Sequence, residues 1–330
     1  MLRVALIATV ALMAAGFQSV PAGAQLPPEL IPLAEDVEAA SSFDYMALKA
    51  SGADLGAMSV ALHRRTMVEG GPRRCLTEAE AVLQENLAAA AQAADQASFD
   101  DDRAAASEAW GKWLLFVEGM ENGQVSTEEP FKWASDRYVR AAADTNPRAR
   151  ELERRAARDQ LHRHAFDAGA QVWGEVSPAA NARLMSRLGR ATCITDKDNT
   201  EWLKADVAAN GWFTRSATGE RASSSAWLMA QHADNDRDFQ RHVLALMEPL
   251  VEQGEVSGGN YGYLFDRIAV AENRPQRYGT QGRCTAPGVW EPFPLESPDR
   301  VDALREEADI AGTLAEYTAL VKRHCDSFTG

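Results

Sequence analysis

The sequence predicts a mainly α protein, an irregular multi-helix bundle, and three observations lead to that prediction. Alanine is very abundant and β-branched residues are sparse, a composition that favours helices because alanine has the highest helix propensity. Trp110, Trp113, Leu114 and Val117 recur at helical spacing, which indicates an amphipathic helix with one buried face. We find no convincing alternation of apolar and polar residues of the kind that half-buried strands show.

Helix start and stop signals divide the chain into elements. The predicted helices cover Thr77–Ala97, Asp100–Asn122, Arg148–Ala168, a stretch from Ser177-Pro178, a further helix from Thr195 or Asp196 to Asn210-Gly211, then Arg221–Asp234, Asp238–Glu252, 260–273 and Asp299–Asp326. The stretch from Arg274 to Pro298 carries five prolines, which block regular structure. We therefore expect a long proline-rich irregular loop before the last helix.

The first 24 residues have the composition of a secretory signal peptide. Arg3 supplies the positive charge, the run from Val4 to Gly16 is almost wholly apolar, and Ala22-Gly23-Ala24 offers small residues for cleavage. Gln18 and Pro21 interrupt the apolar run before it reaches the about 20 residues that span a bilayer. We expect an exported protein, periplasmic or secreted, with no membrane span after signal cleavage.

The remaining chain is predicted to have two parts. Asn146-Pro147 marks the boundary, because the residue before a proline avoids the helical conformation. An N-terminal helical region would occupy residues 25–145, and a C-terminal helical domain would occupy residues 146–330.

The formal net charge of −14 bears on possible partners. A strongly acidic chain repels phosphates, and the segment Arg148–Arg155 is mixed in sign rather than basic. We therefore expect no nucleic-acid partner. Four cysteines, Cys75, Cys193, Cys284 and Cys325, predict disulfide bonds in an oxidising compartment, and all three pairings of four cysteines remain open.

The richest cluster of polar side chains lies in the C-terminal third. Its candidate site residues are Gln231, His232, Asp234, Asp266, Arg267, Gln276, Arg277, Tyr278 and Gln281. Asp266 and Arg267 lie within an apolar helical stretch, and a buried charge must find a partner. That partner is either a charged side chain, in a structural ion pair, or a ligand.

Two interpretations of this cluster stay open. In the first, His232 and Asp266 form an acid–base site, Arg267 and Gln276 orient a polar substrate, and Gln231, Asp234, Arg277, Tyr278 and Gln281 bind it. In the second, Asp266 and Arg267 hold the irregular 274–298 loop by its backbone, while Gln276 and Gln281 satisfy buried carbonyls.

Two other kinds of site find less support. Ser225 precedes His232 by seven residues, about 10 Å along a helix, which is too far for a catalytic hydrogen bond.

A metal site is the other kind. His162 and His164 are two residues apart and point to different sides of a helix. His232 and Asp236 have a suitable i, i+4 spacing but no second clustered pair, and metal sites need several converging ligands. We predict no metal and no cofactor.

Several of these residues resemble an uncharacterised bacterial family, the domain of unknown function numbered 6624, over about residues 150–322. The resemblance rests on Asp159-Gln160 with Arg163, Asp196 with Asn199, Gly211-Trp212, Trp227, Gln231-His232-Ala233-Asp234, Phe239-Gln240, Leu264, Asp266-Arg267, Gln276-Arg277-Tyr278-Gly279-Thr280-Gln281, Pro292-Phe293-Pro294 and the helix to Tyr317. It implies a helical domain and brings no established activity.

The sequence thus predicts an exported protein that acts as a binding or interaction module of the cell envelope. We favour binding over catalysis because no recognisable catalytic signature is present. The partner would be a small polar ligand or an envelope protein. The alternative is a periplasmic hydrolase-like enzyme that uses His232 and Asp266.

Overall fold

The structure, a computed structural model, describes residues 26–66, 73–124 and 130–326. These residues are mainly helical, which confirms the predicted fold class. The predicted signal peptide, residues 1–24, lies outside the described residues.

The helices and strands are numbered in chain order. They are α1 (Val37–Ser42), α2 (Tyr45–Ala50), α3 (Leu55–Arg65), α4 (Glu78–Gln92), α5 (Gln96–Glu121), α6 (Lys132–Ala143), α7 (Pro147–Ala168), α8 (Ala170–Trp173), α9 (Pro178–Asn210), α10 (Arg215–Gln231), α11 (Arg237–Glu252), α12 (Gly258–Ala271), β1 (Gly282–Ala286), β2 (Val289–Pro292), α13 (Val301–Glu307) and α14 (Leu314–Val321). Short 3-10 turns lie at Pro28–Leu30, Pro32–Ala34, Pro298–Arg300 and Lys322–Cys325.

The described chain divides into two compact units. The N-terminal unit comprises the described residues of 26–140 together with 157–195, and the C-terminal unit comprises 141–156 and 196–326. The predicted boundary at Asn146-Pro147 falls within the first segment of the C-terminal unit.

The N-terminal unit has two apolar clusters. One gathers Leu62, Leu83 and Phe99 with their neighbours, and the other is centred on Trp113 and Leu161. Helix α4 begins at the predicted cap, because Thr77 and Glu80 form a reciprocal capping box that satisfies two otherwise free backbone donors. Glu80 also forms an ion pair with Arg74, the residue before Cys75.

In the C-terminal unit, α10, α11 and α12 enclose a core that includes Trp227, Val243 and Leu264. Gly219, with φ 83° and ψ 159°, interrupts α10, and this backbone conformation is readily available only to glycine. The continuous helical part of α10 therefore begins after Gly219.

Three local predictions were wrong. Helix α9 runs without a break through Thr195 and Asp196, since no proline or glycine occurs between residues 190 and 210. Strands β1 and β2 form an antiparallel hairpin with Cys284 opposite Trp290, within the stretch predicted to be irregular. The last predicted helix is two helices, α13 and α14, because Gly312 adopts φ 74° between them.

Both pairs of cysteines form disulfides, as the even count predicted. Cys75 pairs with Cys193 in the N-terminal unit, and Cys284 pairs with Cys325 in the C-terminal unit. The first bond closes a separation of 118 residues and the second one of 41 residues. In the chain-entropy model, cross-links of this length stabilise a fold by about 4–5 kcal/mol each. Across the described residues, no helix has the length and apolar character needed to cross a bilayer.

His162 makes the stability of the N-terminal unit dependent on pH. Burial, followed by the nearby Arg158, lowers the pKa of His162 to about 4, and the imidazole lies 6.1 Å from the Trp113 ring. The unfolded chain, with an ordinary histidine pKa of about 6.5, binds the proton more readily. The stabilising effect is therefore present above about pH 6.5 and is lost as pH falls towards 4.

We expect His162→Leu to remove part of this dependence. Between pH 7 and pH 5 the wild-type free energy of unfolding should fall by about 2 kcal/mol more than that of the variant. Urea unfolding at both pH values measures the difference, and His242→Gln, at an exposed position on α11, is the control. Equal pH dependence in wild type and His162→Leu would contradict this account.

Candidate functional site

Asp266 holds the loop that follows α12. Its side chain is fully buried, and Oδ1 accepts hydrogen bonds from the backbone N–H groups of Arg277 at 2.7 Å and Tyr278 at 3.1 Å. Oδ2 accepts from the backbone N–H and the hydroxyl of Thr280, both at 2.9 Å. Burial raises the pKa of Asp266, and these hydrogen bonds oppose that effect. Both carboxylate oxygens are therefore engaged by the protein's own chain.

Gln276 provides a second anchor for the same loop. Its Nε2 donates to the carbonyls of Gln281 at 2.7 Å and Phe293 at 2.9 Å, and its Oε1 accepts from the backbone N–H of Gln281 at 2.9 Å. The Gln281 side chain donates in turn to the Thr280 hydroxyl at 3.1 Å. The contacts of Asp266 and Gln276 are of the kind that the second interpretation predicts, whereas Gln281 donates to a hydroxyl and Arg267 pairs with Asp234.

Arg277 and Tyr278 also contact neighbouring parts of the C-terminal unit. The Arg277 guanidinium forms an ion pair with Glu296 and lies 4.3 Å from the centre of the Phe265 ring. The Tyr278 carbonyl accepts a hydrogen bond from the fully buried Arg305 at 2.9 Å. An acid–base role for Asp266 with these residues stays a prediction, and it would require a substrate to compete with the internal hydrogen bonds.

Arg267 and Asp234 form a second, separate contact. The guanidinium donates through Nε at 2.9 Å and through a terminal nitrogen at 2.6 Å to the two oxygens of Asp234. Gln240 donates to the Ala230 carbonyl at 3.1 Å and the Gln231 carbonyl at 3.3 Å. A bidentate pair such as Arg267–Asp234 fixes orientation as well as distance. Arg267 thus attaches the segment after α10 to α12, and Gln240 attaches the end of α10 to α11.

His232 is the C-cap residue that follows α10, and its side chain is buried. A ligand atom of Asp196, on α9, lies within 4.8 Å of a ring nitrogen of His232. Both residues belong to the C-terminal unit. The structure therefore brings His232 next to Asp196, a residue that the sequence singled out only as a possible helix start and in the family resemblance.

The i, i+4 spacing of His232 and Asp236 would place the two side chains on one face only if a single helix carried both, and it does not. Helix α10 stops at Gln231 and α11 starts at Arg237. Asp236 is the N-cap of α11, where it accepts from the Phe239 N–H at 2.9 Å, and it forms an ion pair with Lys204.

A cavity of about 370 Å³ opens in another part of the C-terminal unit. It is lined by Asp144, Glu153, Thr218, Gly219, Glu220, Arg221 and Ala222. Glu153 is only 5% exposed, and Ser225 donates a hydrogen bond to its Oε1. Sequence reasoning missed Glu153 because one glutamate in a helix of mixed charge carries no signal. The only hint was Gly219, which lies where a helix would otherwise continue.

The N-terminal unit has its own polar groups. On α7, Asp159 is fully buried, forms an ion pair with Arg163 and accepts a hydrogen bond from Gln160 at 2.6 Å. A smaller cavity of about 250 Å³ lies between α4, α5 and α9, with Trp110, Arg187 and Arg190 among its lining residues. The two cavities described here are lined by none of the nine predicted site residues.

We expect Asp266→Asn to destabilise the protein strongly. An asparagine offers one acceptor oxygen and places a donor NH₂ against backbone donors, so buried N–H groups lose their partners. The cost should exceed about 3 kcal/mol. Urea unfolding measures it, with Asp238→Asn as the control, because the Asp238 side chain is 89% exposed. A change of less than about 0.5 kcal/mol, within the range of ordinary surface substitutions, would contradict a structural role.

Comparisons with known proteins support the resemblance seen in the sequence. A family of unknown function, DUF6624, matches residues 158–326, slightly more than half of the 330 residues. No curated protein and no solved structure matches the chain significantly. The matched segment includes His232, Asp266 and the Gln276–Gln281 loop. The chain therefore belongs to the DUF6624 family.

Proposed function

We propose that the protein is an exported binding protein of the cell envelope, and that its C-terminal unit binds a small polar ligand carrying a positively charged amine. The single observation that carries this proposal is the cavity of about 370 Å³ with the buried Glu153 in its wall. Sites for small molecules commonly measure about 300–1,000 Å³, so the cavity suits a ligand at the small end of that range.

The charges that line the cavity favour a cation. Asp144, Glu153 and Glu220 contribute three acidic groups, and Arg221 contributes one basic group. Glu153 is nearly inaccessible to bulk water, and a buried carboxylate is stabilised by a charged or hydrogen-bonding partner. The Ser225 hydroxyl supplies one such hydrogen bond. A protonated amine in the cavity would supply opposite charge as well as donors.

The break at Gly219 adds a second type of contact. Glu220, Arg221 and Ala222 begin the uninterrupted part of α10, and the first N–H groups of a helix lack partners within the helix. These N–H groups, together with the Arg221 guanidinium, can donate hydrogen bonds to an oxygen atom of the same ligand. An amine that also carries a hydroxyl or carboxylate therefore matches the cavity better than a simple alkylamine.

Export to the periplasm or the exterior is part of the same proposal. The sequence of residues 1–24 supports it, and the two disulfides fit an oxidising compartment. An envelope protein as partner is the other form of the binding hypothesis, and the small cavity supports the small-molecule form.

Titration with small amines tests the proposed ligand class. Ethanolamine and lysine should bind in isothermal titration calorimetry, whereas acetate and glucose should not. Glu153→Gln should weaken amine binding at least tenfold, because it removes the buried negative charge. Glu151→Gln, on the same helix and paired with Arg155, should bind as wild type does. Absence of amine binding, or equal affinity in Glu153→Gln, would refute the proposal.

A hydrolase-like enzyme is the second candidate function, and the proximity of Asp196 and His232 favours it. A carboxylate that orients an imidazole is a common arrangement in acid–base catalysis. In this version Asp196 takes the place predicted for Asp266, whose oxygens already accept hydrogen bonds from the loop. Hydrolysis of p-nitrophenyl acetate or phosphate that His232→Gln abolishes and Glu153→Gln preserves would support it. Equal turnover in wild type and His232→Gln would refute it.

A further inference from the structure

We propose that Asp196 and His232 bind a divalent transition-metal cation of which Zn²⁺ is representative. Ligand atoms of the two side chains lie within 4.8 Å of each other. Zn²⁺ holds imidazole nitrogen and carboxylate oxygen at about 2.0–2.2 Å each, which places two ligand atoms roughly 3–4 Å apart. The separation suits a single ion held by both side chains, with water molecules completing its coordination. This site shares no residue with the cavity beside Glu153, and the inference does not rest on that cavity.

Neighbouring contacts hold the two ligands in position. Thr200, one turn after Asp196 on α9, donates to the Asn235 side chain at 3.2 Å, and Lys204, a further turn along, forms an ion pair with Asp236. The same face of α9 thus contacts successive residues of the 232–236 segment. Asp196 and His232 are the first pair along these two segments. The later contacts fix the backbone of both segments, and the fixed backbone keeps Asp196 near His232.

The ligand types indicate the class of cation. An imidazole nitrogen with a carboxylate oxygen suits Zn²⁺ and other first-row transition metals, whereas Mg²⁺ and Ca²⁺ favour sites made of oxygen atoms alone. His232 also stands at the C-terminal end of α10, where the helix dipole favours positive charge. Asp196 is only partly buried, so one of the two ligands is accessible to solvent.

Two amide side chains close to the ligands in sequence have atoms without partners. Nδ2 of Asn199, one turn after Asp196, and Oε1 of Gln231, next to His232, are buried and form no hydrogen bond with the residues that the structure describes. Both residues are at least 97% buried, and a buried polar atom left without a partner costs about 1–3 kcal/mol. Both side chains therefore keep hydrogen-bonding capacity that a water molecule can use.

Metal titration of the full chain, purified without a histidine tag, tests the site. Zn²⁺ should bind with one-to-one stoichiometry in isothermal titration calorimetry and raise the midpoint of thermal unfolding, and Mg²⁺ at the same concentration should do neither. Asp196→Asn and His232→Gln should each weaken Zn²⁺ binding at least tenfold. The matched control is His242→Gln, which removes an exposed histidine near the exposed Asp238 on α11, and it should bind as wild type does.

A second measurement needs no variant and so stays decisive if either substitution impairs folding. Cu²⁺ with ascorbate oxidises the side chains that hold the metal, and peptide mass spectrometry identifies them. Oxidation concentrated at His232 would support the proposal. Oxidation at His242 or His324 with His232 intact would overturn it, as would Zn²⁺ binding of equal affinity in wild type and His232→Gln. Glu153→Gln should lose amine binding and retain Zn²⁺ binding, because the amine site and the metal site share no residue.

Discussion

The carboxylate of Asp266 organises the C-terminal part of the chain. This one buried group accepts hydrogen bonds from four donors in residues 277–280, and the turn that these residues form carries Gly279 at φ 68°. Arg305 then donates to the Tyr278 carbonyl, and the Tyr317 hydroxyl donates to the Thr280 carbonyl at 3.2 Å. Helices α13 and α14 are thus attached to the loop through its backbone, and the loop is attached to α12 through Asp266.

This arrangement separates polar residues that hold the fold from the polar residues that we propose as ligand sites. Asp266, Gln276 and Arg305 direct their hydrogen bonds at backbone groups of their own unit. Glu153 faces a cavity, and His232 lies beside Asp196 at the end of a helix. A buried carboxylate that is saturated with internal donors is costly to recruit for catalysis, because a substrate would first have to displace those donors. The ligand sites are therefore expected away from the loop.

The sequence predicted the helical class, the disulfide bonding and the family, since composition, cysteine parity and the Gln276–Gln281 string are local signals. It also identified His232 and Asp266 as residues of interest. It could not assign their partners, because the neighbour of His232 is 36 positions earlier in the chain and only the packing of α9 against the 232–236 segment brings the two together. Glu153 and Ser225 meet for the same kind of reason, across α7 and α10. The β1–β2 hairpin was missed because prolines surround strands of only five and four residues.

Amide hydrogen exchange of the 276–281 loop tests the central claim most directly, namely that Asp266 makes this loop part of the rigid fold. The N–H groups of Arg277, Tyr278 and Thr280 donate to a buried carboxylate, so a peptide spanning them should exchange as slowly as the buried helices of the unit. The slow exchange should disappear in Asp266→Asn under conditions in which α11 remains protected. Fast exchange of this peptide in the wild-type protein, at the rate of an exposed loop, would contradict the account.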